Sequence, residues 1–338
     1  MQKHKSTMLC IGIAFLMLLL IMDAKTALGG ASEGIALCIR TVIPSLFPFF
    51  FLSGIANSLI AGRSSSFFRP IGRLCGIPEG AEYLLIIGLT GGYPVGAQCI
   101  SNAYKAGSLS KQDAQRMLGF CSNAGPAFIF GMMSQAFDTP ICAWALWLTQ
   151  MICATVTGWL LPKKTNHRVD HQQAVPVSPS VALQSAIKAM ATVCGWVVIF
   201  RVLIAILNRW ILWFFPMEFS VIFSGFLELS NGCVALRDIS DPAVRYIAAS
   251  AMLSWGGICV GMQTQSVCQG LSCKTYFIGK IIQTLLSVFL SIIFCILLFP
   301  GNHYFLICGV FLLGCMLTIF VFFVRFQKYT GNSILNSI

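Results

Sequence analysis

Gly91-Gly92-Tyr93-Pro94-Val95-Gly96-Ala97-Gln98 interrupts an apolar stretch of this chain, and its Gly-Gly-x-x-x-Gly-x-Gln pattern returns as Gly256-Gly257-Ile258-Cys259-Val260-Gly261-Met262-Gln263. Glycine in a helix interior costs about 1 kcal/mol relative to alanine. A helix breaker duplicated inside apolar segments points to a binding site built by broken helices, as in secondary transporters.

The composition places these segments in a bilayer. Of 338 residues, 57% are apolar and 10% charged, and the mean hydropathy is +0.81. Soluble domains carry about 25% charged residues, so the sequence reads as a polytopic, all-α membrane protein. Residues 304–324 form an uninterrupted apolar run, long enough to cross about 30 Å of hydrocarbon.

The net charge of +11 resides in clusters at segment ends: Lys3/Lys5, Arg63/Arg69/Arg73, Lys105/Lys111/Arg116, Lys163/Lys164/Arg168 and Arg325/Lys328. That is the positive-inside pattern, which places the N-terminus and the polar stretch 162–180 on the cytoplasmic side of a cell membrane. A basic stripe interleaved with aromatics, as single-strand binders carry, is missing, so nucleic acid is not an expected partner. None of the 15 cysteines has C-x-x-C spacing, and the 4 histidines fall in polar termini or loops. Neither a metal site, a disulfide framework nor a cofactor is expected. The sequence holds no G-x-S-x-G elbow, no H-E-x-x-H and no Walker A lysine, which argues against an enzyme.

Along the chain, residues 1–26 read as an N-terminal transmembrane helix, 27–161 as a first repeat, 162–180 as a linker, 181–300 as a second repeat, and 301–338 as a C-terminal helix and tail. Lys3 and Lys5 before the apolar run 8–22 also fit a signal peptide, with small residues near 27–31 for cleavage. Retention is preferred because everything downstream is also apolar. Residues 35–61 are expected to return across the bilayer, interrupted at Pro44 and Pro48. The two arms around Gly91–Pro94 read as a re-entrant hairpin on the cytoplasmic side. Ser110 is a plausible N-cap, followed by a helix that breaks at Asn123-Ala124-Gly125-Pro126. The second half follows a similar plan, with the second Gly-Gly pair read as another hairpin tip. Ile39-Arg40-x-x-Ile43 compares with Phe200-Arg201-x-x-Ile204. Whether the halves are inverted depends on whether residues 219–236 cross the bilayer.

The candidate solute-binding residues are Gly91, Gly92, Tyr93, Pro94 and Gln98 at the first tip, Asn123 at the first break, Gly256, Gly257 and Gln263 at the second motif, and Arg201, Glu228 and Asn231. Backbone amides at a tip lack intrahelical partners, and glycine lets a ligand approach them. The competing reading is tight helix packing, since Gly92-x-x-x-Gly96 and Gly257-x-x-x-Gly261 also satisfy G-x-x-x-G. Glu228 is the most deeply placed acid, and an ionisable residue in a membrane segment suggests function. Arg201 would pair with it or contact a solute carboxylate.

Three segments carry a family resemblance: Pro44-Ser45-Leu46-Phe47-Pro48-Phe49; Gly91 through Ala97; and Ala114-x-x-Met117-Leu118-Gly119-Phe120-Cys121-Ser122-Asn123-x-x-Pro126-x-Phe128. Together they resemble the nucleoside-recognition (Gate) membrane proteins, and within these the sporulation integral membrane proteins of the YlbJ type. Gly225 through Gly232, and Gly256 through Gln263, are similar to that group's second signature. Gly91 stands where that family often has serine, and Gln98 where it often has lysine. The resemblance implies a fold like that of concentrative nucleoside transporters, with a re-entrant hairpin and a broken helix in each repeat. It also implies a secondary transporter of a small, polar, ring-bearing solute in spore formation, with dipicolinate first and nucleosides second. A non-transporting scaffold or sensor is the other class, and a homo-oligomer stays open.

Overall fold

In a computed structural model, the described residues are 2–60, 67–163 and 177–299, and all their regular structure is helical. The expected span at 304–324, the rest of the tail and residues 164–176 of the linker lie outside them.

The chain opens with α1 (Gln2–Met22), α2 (Ala24–Leu37) and α3 (Ile43–Ile60), the last two joined by a π turn over Cys38–Val42. Short α4 (Arg69–Cys75) precedes α5 (Glu82–Thr90) and α6 (Val95–Lys105), then α7 (Lys111–Leu118), α8 (Pro126–Ala136) and α9 (Pro140–Leu160). After the linker come α10 (Pro179–Trp210), α11 (Met217–Leu227), α12 (Leu229–Ala235), α13 (Pro242–Trp255), α14 (Gly257–Val267) and α15 (Lys274–Leu298).

Local chemistry sets many of these boundaries. The Ser110 hydroxyl accepts from the Asp113 amide at 3.1 Å and starts α7 as expected. Asp241 accepts from the amides of Ala243 and Val244 at 2.8 and 3.1 Å, with Pro242 opening α13. One expectation fails here. Pro44 and Pro48 do not interrupt the helix: residues Ala24–Ala56 form one apolar helical stretch. The wider π turn just before Pro44 loosens the backbone where proline would collide with the preceding turn.

Among the described residues, five helical stretches are long and apolar enough to cross a membrane: Ala24–Ala56, Pro140–Leu160, Pro179–Trp210, Pro242–Val267 and Lys274–Ile296. Their side-chain arrangement fits that environment. On α15, Ile278, Ile281 and Leu285 are about half exposed, while Lys280, Gln283, Ser287 and Ser291 are wholly buried. Apolar residues outside and polar ones inside is the reverse of a water-soluble helix. Where helices meet, small residues let backbones approach. A Cβ on Gly30 would lie 2.9 Å from the Ala205 Cβ, and one on Gly34 3.0 Å from the Val198 Cα, so α2 packs closely along α10. Ser250 and Ser287 each donate to the other's carbonyl at 3.3 Å, tying α13 to α15.

Among the described residues, two consecutive helix pairs fold back through facing glycines. α5 packs beside α6, and α11 beside α12. Each pair is closed by facing glycines: a Cβ on Gly96 would sit 2.9 Å from the Gly88 Cα, and one on Gly232 would sit 2.2 Å from the Gly225 Cα. The second Gly-Gly motif behaves differently from the hairpin tip expected there. Gly256 and Gly257, at φ +80° and +87°, join α13 to α14, which do not pack side by side. The second hairpin lies one element earlier, with Glu228 at its tip.

Candidate functional site

Four interruptions meet at the centre of the molecule. The first hairpin turn carries Gly92 at φ +80°. A Cβ there would lie 3.3 Å from the Gly125 amide, in the unwound segment between α7 and α8. The second tip makes the matching approach to the second break: a Cβ on Gly257 would lie 3.1 Å from both the Leu227 carbonyl and the Leu229 amide. Tyr93 links the two sets. Its ring covers Gly256, and its hydroxyl lies 3.2 and 3.3 Å from the Leu253 and Ser254 carbonyls at the end of α13. Those carbonyls lack helical partners beyond the break, and the phenol supplies a donor.

Between these elements lies a cavity of about 30 Å³, lined by Tyr93, Ala124, Gly125, Glu228, Ser230 and Gln263, with Val42, Val193 and Val197 among its apolar walls. A buried site of that volume admits roughly one or two waters. Glu228 is 2% exposed. Its carboxylate accepts from the Ser230 amide at 3.0 Å, and from the Asn231 amide and side-chain nitrogen at 2.7 Å each. It therefore caps α12 while facing the cavity. Behind the same hairpin lies a second, more open cavity of about 390 Å³, lined by Arg201, Asn208, Trp213, Ser224, Asn231 and Asp238 among others. Asn231 borders this second cavity and bonds the carboxylate that borders the first, so the α11–α12 hairpin is the wall between them.

Beneath the first tip runs a buried polar chain. Lys280 Nζ donates to the Tyr93 hydroxyl at 3.0 Å, to the Ser122 carbonyl and to Gln283 Oε1 at 2.8 Å, with Asn123 Oδ1 at 3.4 Å. Gln283 Nε2 donates to Asn123 Oδ1 at 2.8 Å and to Gln150 Oε1 at 3.3 Å, and Gln150 Nε2 donates to Ser254 Oγ at 2.6 Å. The chain joins the first break, α15, α9 and the second break.

The expected site residues separate accordingly. Tyr93, Glu228 and Gln263 line the central cavity; Asn123 lies in the polar chain. Asn231 holds Glu228 from behind. Gly91, Gly92, Pro94, Gly256 and Gly257 are buried and shape the turns. Gln98 is half-buried on α6 and away from the cavity lining, so its match to Gln263 is one of sequence only. Arg201 lines the second cavity, where a solute carboxylate could meet it, but its expected pairing with Glu228 needs correction. It forms an ion pair with Glu33 instead of Glu228, because α2 lies so close to α10 that a Cβ on Gly34 would touch the Arg201 Cβ at 3.1 Å. The packing reading of the glycines also holds in part, since Gly261 faces the Phe277 ring, 2.8 Å from where its Cβ would stand. Lys280, Gln150 and Gln283 escaped the sequence reading. A lysine within an apolar run, followed three residues later by glutamine, was the available signal.

Comparison with known proteins adds one relative. Over 143 residues the chain is 27% identical to the sporulation integral membrane protein YlbJ of Bacillus subtilis (strain 168), covering 40% of this chain and 34% of that protein. The likeness supports a YlbJ-like family. The chain thus spans about a third of the length of the curated relative it matches. No family model matches the chain, and no solved structure matches it. With the membrane-spanning helices, the relative supports an integral membrane location.

Proposed function

We propose that this protein is a secondary transporter that moves a small, polar, ring-bearing solute through the centre of the helical bundle, and that it serves spore formation. The observation that carries this reading is the convergence of two hairpin tips and two helix breaks on one buried cavity that holds an acid and an amide. Irregular backbone inside a bilayer is tolerated where it is buried in protein or lines a cavity, and such breaks are where transporters hold their solutes. The sporulation context comes from the relative's name. Dipicolinate is the first candidate solute and nucleosides are the second; catalysis forms no part of the reading.

The two folded-back pairs suit re-entrant hairpins in two inverted repeats, as in concentrative nucleoside transporters. If residues 162–180 are cytoplasmic, α9 arrives from outside and α10 leaves toward it, so α5–α6 opens inward and α11–α12 outward. This predicts that Ala106→Cys reacts with an impermeant maleimide only from the cytoplasmic side and Ser240→Cys only from the other. Labelling of both from one side excludes the inverted arrangement.

In this conformation the central cavity is too small for a ring, whereas pockets that hold small molecules span about 300–1,000 Å³. The second cavity, about 390 Å³, is large enough, so it serves as a vestibule and the α11–α12 hairpin moves to admit solute. Flux into proteoliposomes, measured with a panel of heteroaromatic carboxylates and nucleosides, tests the reading. Saturable uptake of at least one is expected. If none moves through folded protein, transport is wrong and the scaffold or sensor class takes its place.

A further inference from the structure

Lys280 is wholly buried, and the chemistry around its nitrogen has one character. The four atoms it meets are oxygens: the Tyr93 hydroxyl, the Ser122 carbonyl, Asn123 Oδ1 and Gln283 Oε1. None belongs to a carboxylate. The rings of Tyr93 and Tyr276 lie beside the nitrogen, with centroids 4.9 and 5.9 Å from Nζ. An ammonium has three donors and no acceptor, and three of these oxygens, Ser122 O, Asn123 Oδ1 and Gln283 Oε1, can only accept, a set that matches its three N–H groups. Two of them come from the unwound segment between α7 and α8, one from the hairpin turn packed on it, and one from α15. Unwound carbonyls beside a hairpin tip are the ligand set that broken helices offer to a monovalent metal ion.

We infer that Lys280 is a built-in cation, its ammonium standing where Na⁺ or K⁺ would otherwise hold the first hairpin tip to the first helix break. The chain therefore needs no metal ion at this position. The inference deepens the transport reading, since a site already filled by the protein cannot couple sodium, but its test is one of stability and stands apart from flux. The network explains why the position is critical. Lys280 donates to the Tyr93 hydroxyl, which reaches the α13 carbonyls at the second break, so one ammonium sets the positions of both breaks.

The experiment compares thermal unfolding of purified wild-type protein, Lys280→Met and Lys280→Ala in NaCl, KCl and N-methylglucamine chloride. Wild-type stability is expected to be the same in all three. Lys280→Met fills the space without charge and leaves buried acceptors unmatched; its Tm should fall by roughly 5–10 °C in every salt. Lys280→Ala vacates the oxygen shell and should regain about half of its own loss when Na⁺ or K⁺ replaces N-methylglucamine. The inference falls if Lys280→Met is as stable as wild type, or if Lys280→Ala is indifferent to the cation. Should the alanine variant be too unstable to purify without metal cations, recovery of folded protein only with Na⁺ or K⁺ present throughout supports the inference, and no recovery with either overturns it. Failure of every solute to move in wild-type proteoliposomes would sink the transport reading and leave these stability results unchanged.

Discussion

Gly88→Ala and Gly96→Ala should each abolish folded, monodisperse protein, whereas Gly131→Ala should elute like wild type and melt no lower. At position 88 an added Cβ would lie 1.8 Å from the Cys121 carbonyl oxygen, and at position 96 it would lie 2.0 Å from the same atom. That carbonyl belongs to the unwound segment ahead of α8, and the two arms of the first hairpin close around it. The obstacle is backbone on both sides, so no side-chain rotation relieves the clash. Overpacking a close-packed interior usually costs about 1–3 kcal/mol; displacing a backbone from a helix crossing should cost more than about 4 kcal/mol, among the largest single-substitution effects. Gly131 meets nothing within 4 Å, and alanine there improves helix propensity by about 1 kcal/mol. Size-exclusion profiles and melting curves of the three variants check this. A Gly88→Ala protein that elutes and melts like wild type would show that the hairpin does not pack against the break as described.

The same glycines explain how much of the fold could be read from the chain. Breakers inside apolar runs announced the four interruptions that meet at the central cavity: Gly91–Pro94, Asn123–Pro126, Gly225–Gly232 and Gly256–Gly257. What they do not announce is direction. A Gly-Gly pair permits positive φ, but these two hairpins fold back where each arm carries a glycine at the contact. The contacts are Gly88 with Gly96, and Gly225 with Gly232. α13 has no glycine before Gly256, so the second motif continues as a broken helix despite its likeness to the first. The matched glutamines misled for the same reason, because equivalent letters occupied inequivalent geometry. Arg201 was placed by its counterpart Arg40, while its true partner, Glu33, depends on how closely α2 approaches α10. Glu228 and Asn231 were legible because polar groups in an apolar run have few roles. Lys280 met the same test and lay within a stretch read only for its length.

Glu228→Gln should yield folded protein with solute flux reduced at least about tenfold, and Glu228→Leu should yield neither flux nor full stability. The carboxylate now receives three donors, two backbone amides of α12 and the Asn231 side chain, through its two oxygens. Glutamine keeps the shape but has one acceptor oxygen, so its NH₂ group faces a donor that the carboxylate satisfied. Losing part of a cap costs about 1 kcal/mol, and stranding a buried donor costs about 1–3 kcal/mol. The hairpin should survive this loss, since the facing glycines and the Gly257 contact remain. Leucine strands all three donors at once and removes the cap. Flux should suffer beyond stability in Glu228→Gln because, among the described residues, this is the only acid lining the central cavity, and its bond to Asn231 ties that cavity to the vestibule behind the hairpin. A solute leaving the vestibule must exchange contacts with that pair. The decisive measurement is flux normalised to folded protein in proteoliposomes, alongside the melting temperature of each variant. Wild-type flux in Glu228→Gln would reduce the carboxylate to a helix cap. Flux lost only in proportion to folded protein would do the same, and the passage of solute would then have to be sought away from the second tip.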